Sequence, residues 1–114
     1  MATFKRFDIV VVPFPFTDRT ASKRRPAVVL SDERAFNAVI SHSLLAMITT
    51  AAHSRWPLDV PLADFASTGL RVPSIVRMKL FTLDDSLILR AIGQLGEGDQ
   101  KTLGSALKTL FCLH

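Results

Sequence analysis

The sequence predicts a mainly β (α+β) domain, a small twisted antiparallel barrel with one C-terminal α-helix packed on it. Short runs of apolar and β-branched residues recur up to Leu95, and prolines, glycines and polar loops separate them. An apolar stripe at helical spacing follows near the C-terminus, which is typical of a barrel covered by a helix. Because 48% of the 114 residues are apolar, we expect a single domain over residues 1–114 with one core.

Six segments have the composition of strands. They are residues 8–12, 26–31, 43–50, 58–62, 74–80 and 87–95. Pro13 and Pro15 predict that the first strand ends at an edge or bend, and Pro61 predicts that the fourth lies at an edge. Phe14 and Phe16 share one side of an extended chain, where we expect core packing, with base stacking as the alternative.

Two helices and one bend are expected between and after these strands. Ser31 is expected to cap a short helix over residues 32–38, and Asp99 is expected to cap a longer helix from about Gln100. Gly69 is expected to supply a backbone bend. The apolar stripe of the longer helix consists of Leu103, Leu107, Leu110 and Phe111.

Charge and cysteine content restrict the class of protein. The net charge of +4 favours an anionic partner, with nucleic acid or an acidic protein first. Cys112 is the only cysteine, so no intrachain disulfide forms, and no signal-peptide pattern is visible, so we expect a cytoplasmic protein. The acids are dispersed and no His/Cys cluster or phosphate-binding glycine loop occurs, so neither a metal nor a cofactor is expected.

The basic stretch at residues 23–25 precedes a proline and a short apolar strand. Pro26 favours extended geometry at Arg25, which would hold that guanidinium at the mouth of the strand. A fixed guanidinium suits phosphate, and Arg19, Lys23 and Arg24 extend the positive charge along the same loop. The alternative is an ordinary solvated turn before a core strand.

Several motifs in order resemble one protein family. The segment Asp8-Ile-Val-Val-Val-Pro-Phe is followed by a polar loop and by Arg25-Pro-Ala-Val-Val-Leu-Ser31. Later motifs are Phe36-Asn37, Ile48-Thr49-Thr50, Gly69-Leu70, Ser74-Ile-Val-Arg77, Thr82-Leu-Asp84 and Ile92-Gly93. Their order and spacing resemble the MazF/PemK toxins (mRNA interferases) of bacterial type II toxin–antitoxin modules.

The resemblance implies an SH3-like barrel of the MazF/CcdB toxin type with a C-terminal helix. It also implies a homodimer, a sequence-specific endoribonuclease that cuts single-stranded RNA (mRNA, or rRNA or tRNA) without metal, and growth arrest. A cognate antitoxin with an acidic, flexible tail would cover the RNA groove. Carried over by motif, Arg25 and Thr49 are the catalytic pair, while Thr50 and Arg77 line the site.

Two positions depart from the family pattern. Phe7 precedes Asp8 where the family usually has glycine, which is expected to change a turn and leave the chemistry intact. Lys79 stands where some relatives place an acid, two residues after the arginine that matches Arg77. We expect Lys79 to contact the RNA backbone, together with Arg19, Lys23 and Arg24.

Metal-free RNA cleavage needs a phosphorane stabiliser and groups that move two protons. Arg25 suits the first task, and Thr49 can hold the 2′-OH or a phosphate oxygen, but neither is a base. His53 is the candidate acid/base, with an ordinary surface residue as the alternative, and His42 and His114 are weaker candidates. Arg77 is either a second phosphate clamp or the partner of an acid such as Asp84 or Asp85.

Two other functions remain open from the sequence. One is a non-enzymatic poison of DNA gyrase on the same fold, similar to the CcdB-type toxins. The other is a plain SH3-like module that binds RNA or protein. RNA cleavage, gyrase inhibition, and binding without turnover are the respective outcomes that separate the three hypotheses.

Overall fold

The computed structural model describes residues 3–14, 23–52 and 55–113, which form one six-stranded antiparallel sheet and a C-terminal helix. The strands are β1 (Asp8–Phe14), β2 (Lys23–Val29), β3 (His42–Thr50), β4 (Val60–Pro61), β5 (Ser74–Asp84) and β6 (Arg90–Gln94). The helices are α1 (Ala38–Ile40), which continues a π-turn over Glu33–Asn37, and α2 (Glu97–Leu110). The sheet order is β4-β5-β3-β2-β1-β6, and the predicted mainly β fold with a C-terminal helix is confirmed.

Apolar side chains pack on both faces of the curled sheet. On one face, Leu103 and Leu107 of α2 close a cluster with Ile9 and Val28 of the sheet. On the other, Val10, Val12, Ala27, Val29 and Leu45 pack with Phe4, Leu83 and Ile88. The last part of the predicted helical stripe is left open, since Leu110 is 37% exposed and Phe111 52%.

Strands β1 and β2 both extend further toward their connecting loop than the sequence predicts. Pro13 and Phe14 remain paired with Arg24 and Lys23, so the basic residues lie inside β2 and not in a loop. Pro13 is tolerated because the ladder from β1 to β6 ends at Val11, beyond which β1 pairs with β2 alone. Arg25 is therefore held by the ladder itself, paired with Val12.

The β3–β5 ladder contains an irregularity at its centre. Ala46 pairs with Leu80, and Ile48 pairs with Val76. Two steps along β3 therefore correspond to four steps along β5. The residues between them bulge, and bulges re-aim side chains and increase local twist. The pairing of β5 is thus irregular between Val76 and Leu80, the segment that carries Arg77 and Lys79.

Both predicted helix caps are wrong. Asp32, not Ser31, caps the π-turn, since its carboxylate accepts a hydrogen bond from the Ala35 backbone N–H at 2.8 Å. The Ser31 hydroxyl instead donates to the side chain of Asn37 and accepts from the Leu44 N–H. Helix α2 begins earlier, at Glu97 with Gly96 as its N-cap residue.

Asp99 does not cap α2 but binds the chain that follows β4. Its carboxylate lies in the first turn of α2 and accepts hydrogen bonds from the backbone N–H groups of Ala63 and Asp64, the latter at 2.9 Å. The chain after β4 is therefore bound to the start of α2. Within the described residues, no helix has the length and apolar character needed to cross a membrane.

Five described residues have left-handed backbone conformations: Phe7, Ser41, Leu58, Gly69 and Cys112. Two of them, Gly69 and Phe7, bear on the sequence predictions. Gly69 has φ +74°, which confirms the predicted bend. Phe7 has φ +73° at the position where the resembling family usually has glycine. A non-glycine residue there costs about 1–2 kcal/mol, and Phe7 offsets part of this by packing against the core beneath α2.

Candidate functional site

A cleft of about 340 Å³ opens where β2, β3 and β5 meet. Its polar lining comes from Arg25 of β2, Thr49 of β3, and Arg77 and Lys79 of β5. Its apolar lining is supplied mainly by Phe14, Met47 and Phe81. We call this feature the Arg25 cleft.

Arg25 lies over an aromatic ring at one wall of the cleft. Its guanidinium carbon is 5.0 Å from the centroid of the Phe14 ring, which is within cation–π range. The prediction that Phe14 packs in the core is wrong, since its side chain is 38% exposed and lines the cleft. Phe14 is displaced from the core because the strand continues through Pro13 and carries it past the last packed layer. Phe16 lies outside the described residues.

Thr49 and Thr50 lie on opposite faces of β3, as alternation along a strand requires. Thr49 is half-buried and lines the Arg25 cleft. Thr50 is exposed and lines a separate shallow hollow with Ala51 and Pro73. The predicted pair of neighbouring threonines therefore contributes one hydroxyl to the cleft.

Arg77 is held by an aspartate that the sequence did not indicate. Its Nε and Nη2 atoms donate to the two carboxylate oxygens of Asp59, at 3.2 and 3.0 Å. Both side chains are about nine-tenths buried, and the Trp56 backbone N–H donates to the same carboxylate at 2.9 Å. The ion-pair hypothesis for Arg77 thus holds with Asp59 and is wrong for Asp84 and Asp85.

Asp84 and Asp85 are engaged close to their own positions in the chain. The Asp84 carboxylate accepts from the Ser86 backbone N–H at 2.9 Å, and this hydrogen bond lowers the pKa of Asp84. The Asp85 carboxylate accepts from the buried Ser43 hydroxyl at 2.7 Å. Neither carboxylate is therefore left to pair with Arg77.

Trp56 brings a second aromatic surface to the rim of the cleft. The ring centroid is 5.3 Å from the Arg77 guanidinium carbon and 5.1 Å from Lys79 Nζ. The side chain is 40% exposed, while Lys79 is exposed and forms no ion pair within the described residues. Asp59 therefore fixes the Trp56 loop onto Arg77 and sets the position of the ring beside Lys79.

The hydrogen bonds from Arg77 lower the pKa of Asp59 below its usual value of 3.8. Burial of the carboxylate opposes this shift, and the hydrogen bond from the Trp56 N–H lowers the pKa further. A carboxylate with a lowered pKa in the folded state stabilises the fold at neutral pH and loses that contribution as pH falls through the folded pKa. We expect the difference in unfolding free energy between the wild type and Asp59→Asn to stay constant from pH 7 to about pH 5 and to shrink at lower pH, as the pH falls through the folded pKa of Asp59. Denaturant titrations at several pH values measure this difference, with the exposed Glu97→Gln as control. A difference that stays constant with pH would contradict the assignment.

The structure brings together part of the predicted site. Four predicted residues share the Arg25 cleft, namely Arg25, Thr49, Arg77 and Lys79. Lys23 lies exposed at the start of β2, and Arg24 lies on the face of β2 opposite Arg25. The structure does not describe three further residues that were predicted for the site, namely Arg19, His53 and His114. His42 lies at the start of β3 and its Nδ1 contacts the Ile40 carbonyl oxygen at 2.8 Å.

Three residues in or beside the cleft were not predicted from the sequence in these positions: Phe14, which lines it, and Trp56 and Asp59, which contact Arg77. Phe14 follows a proline, which suggested the end of the strand. Asp59 lies 18 positions from Arg77, and no local spacing rule connects them. The one sequence feature that could have indicated an aromatic residue at the rim of the cleft is Trp56, the single tryptophan, in a polar loop. The described residues contain no group of three or more His, Cys, Asp or Glu side chains arranged to hold a metal ion.

Solved structures with the same fold cover almost the whole chain. A MazE–MazF complex from Deinococcus radiodurans matches with a TM-score of 0.77 at 20% identity, covering 100% of both chains. The Mycobacterium tuberculosis toxin MazF-mt6 matches with a TM-score of 0.73 at 25% identity, covering 94% of this chain and 98% of that one. An endoribonuclease in complex with its cognate antitoxin from Mycobacterial species matches with a TM-score of 0.77 at 17% identity, covering 100% and 98%.

No curated protein sequence matches the chain at a significant level. A family model does match, and it spans residues 5–111 of the 114. That family is described as the PemK-like, MazF-like toxins of type II toxin–antitoxin systems. The match includes every strand and the helix α2. The chain therefore belongs to the PemK/MazF toxin family of type II toxin–antitoxin systems.

Proposed function

We propose that this toxin is an endoribonuclease that cleaves single-stranded RNA without a metal ion and thereby arrests growth. The observation that carries the proposal is the convergence of Arg25, Thr49 and Lys79 in one cleft. Two of these are cations that form no ion pair with a described residue, and one is a hydroxyl, and together they can bind a phosphodiester and stabilise charge on it. The similar structure described as an endoribonuclease supports the same activity.

The proposed reaction uses the nucleophile of the RNA itself. The 2′-oxygen loses its proton to a base and attacks the adjacent phosphorus, and the bond from phosphorus to the 5′-oxygen breaks. The leaving 5′-oxygen takes a proton, so the products are a 2′,3′-cyclic phosphate and a 5′-hydroxyl. Arg25 stabilises the negative charge of the phosphorane, and Thr49 donates to a phosphate oxygen or orients the 2′-OH.

The base is not among the groups described in the cleft. Asp59 is the nearest carboxylate to Arg77, but its oxygens accept three hydrogen bonds and its pKa is lowered, so it is a weak proton acceptor. Arg25 and Arg77 do not deprotonate. His53 remains the predicted acid/base, carried over from the sequence.

The reaction is tested with single-stranded RNA in excess chelator. We expect cleavage to persist in EDTA, to leave 2′,3′-cyclic phosphate ends, and to stop at a nucleotide that carries 2′-deoxyribose, because that sugar lacks the attacking oxygen. Sequencing of cut ends and mass spectrometry of the products measure the outcome. Strict dependence on Mg²⁺, or cleavage at a 2′-deoxy position, would rule the mechanism out.

We propose that the toxin acts as a homodimer and is inhibited by a cognate antitoxin. The similar MazE–MazF complex and the mycobacterial complex with a cognate antitoxin support a partner of this kind. An acidic antitoxin tail complements the cations of the Arg25 cleft and would compete with RNA for them. The exposed Leu110 and Phe111 at the end of α2 are apolar surface available to a second protomer.

Lys79 is proposed to bind the RNA backbone and not to transfer protons. The Trp56 ring holds its ammonium at the rim of the cleft. We expect Lys79→Gln to weaken RNA binding and to reduce the log–log salt slope by about 0.7, as for one lost phosphate contact. The single-turnover rate at saturating RNA should change little. A steep fall in that rate with unchanged affinity would instead make Lys79 a catalytic residue.

A further inference from the structure

A second basic surface lies on the face of β2 opposite the Arg25 cleft. Arg24 and Arg25 are neighbours in β2, so their side chains leave the sheet on opposite faces. Val11 pairs with Pro26 on one side and with Arg90 on the other, so Arg90 lies on the same face as Arg24. These residues line a groove of about 380 Å³, which we call the Arg24 groove.

The third arginine of the Arg24 groove is Arg71, whose backbone is fixed by two glycines. A Cβ atom at Gly69 would lie 2.1 Å from the carbonyl oxygen of Ile92, and one at Gly93 would lie 2.5 Å from the carbonyl oxygen of Ser67. The loop before β5 therefore packs directly on β6, backbone against backbone. This contact holds Arg71 beside Arg90 at the groove.

The part of the chain that the structure describes does not compensate the charge of the Arg24 groove. None of the described lining residues is acidic, and Arg24, Arg71 and Arg90 are exposed and form no ion pair with any described residue. Three guanidinium groups around a floor of Val11, Pro26 and Ile92 repel one another, so an anionic ligand stabilises the arrangement. Guanidinium groups also match the oxygen geometry of a phosphodiester.

We propose that the Arg24 groove binds the sugar–phosphate backbone of a single-stranded RNA where it continues past the Arg25 cleft. The proposal rests on the proposed ribonuclease function and assigns Arg24, Arg71 and Arg90 to a second RNA-binding subsite. Arg25 is a lining residue of both the cleft and the groove, so the two surfaces, although on opposite faces of β2, adjoin at this residue, and a strand that leaves the cleft reaches the groove by crossing the sheet there. This continuity favours RNA over an acidic polypeptide as the occupant.

The test uses the double variant Arg71→Gln/Arg90→Gln, since both residues lie outside the Arg25 cleft. The control is Lys101→Gln/Lys108→Gln, which removes the same charge from exposed positions of α2. The probes are fluorescent 2′-O-methyl oligouridines, which lack the attacking hydroxyl, of about 5 and about 20 nucleotides, lengths that bracket typical single-strand sites. A short probe is expected to occupy the cleft alone, and a long one to reach the groove.

We expect the groove variant to bind the long probe on the order of 10-fold more weakly, with a salt slope reduced by about 1.4, or twice 0.7 for two contacts. Binding of the short probe should not change, and the control should bind both probes like the wild type. The proposal would be overturned if the groove variant and the control lost affinity for the long probe equally, or if neither lost affinity. A polyglutamate peptide that loses affinity for the groove variant, while the long probe does not, would assign the groove to an acidic protein segment instead. Because these probes are not cleaved, the result stands apart from whether the wild type cleaves RNA.

Discussion

Replacing Arg25 with alanine is expected to lower the rate of RNA cleavage by on the order of 100-fold or more, and to abolish growth arrest, with the fold intact. Arg25 is exposed at the N-terminal part of β2, and its side chain lies over the Phe14 ring while its backbone pairing with Val12 is kept by alanine, so the substitution removes little stability. The substitution removes an interaction of the transition state, in which the preorganised guanidinium stabilises the charge that develops on the phosphorane. Single-turnover cleavage with saturating RNA measures this loss directly.

The control for Arg25→Ala is Arg34→Ala, which removes the same charge from an exposed position in the π-turn and outside the cleft. Arg34→Ala should cleave at the wild-type rate. Thr49→Val keeps the shape of the side chain, removes the hydroxyl, and should also slow the single-turnover rate. Wild-type cleavage by both Arg25→Ala and Thr49→Val, with thermal melting unchanged, would place the reaction elsewhere on the molecule.

The part of the site that could be predicted from sequence is the part fixed by local geometry. Pro26 restricts Arg25, so the position of this side chain follows from its neighbour. Thr49 and Thr50 were both assigned to the site by the family resemblance, and alternation along β3 explains why only Thr49 lines the cleft. The sheet with its C-terminal helix follows from hydrophobic periodicity in the same way. The wrong caps at Ser31 and Asp99 have one cause, since each polar side chain found a more distant partner, Asn37 in one case and the Ala63–Asp64 backbone in the other.

The surroundings of Arg77 depend on contacts that no short window contains. A period of two predicts that Arg77 and Lys79 share one face, and both line the Arg25 cleft. The bulge in β5 gives them different surroundings, because Arg77 is 7% exposed and bound to Asp59, whereas Lys79 remains accessible at the rim. Register irregularities and partners across loops come from the tertiary structure, and this pair depends on both.

Asp59→Ala is expected to lower the free energy of unfolding by about 2–3 kcal/mol, because it removes the carboxylate that pairs with the buried Arg77 charge. The same change also removes the acceptor of the Trp56 N–H. For a domain of this size the melting temperature should fall by about 10 °C. Thermal and urea unfolding measure the effect, and Glu97→Ala, at an exposed position in the first turn of α2, serves as the control.

A double variant separates the ion pair from the role of Arg77 in catalysis. Arg77→Met removes the charge and keeps much of the apolar volume, so Asp59→Ala/Arg77→Met should be more stable than Asp59→Ala alone. If Arg77 acts by holding the Trp56 loop, each single variant should lower kcat by a similar factor at a temperature where both are folded. If Arg77 instead contacts phosphate directly, Arg77→Met alone should raise KM and lower kcat, while Asp59→Ala, which removes the carboxylate that competes with phosphate, should bind RNA more tightly. If the losses of stability in the two single variants simply add in the double variant, Asp59 and Arg77 are not coupled, and the ion pair does not account for the effect.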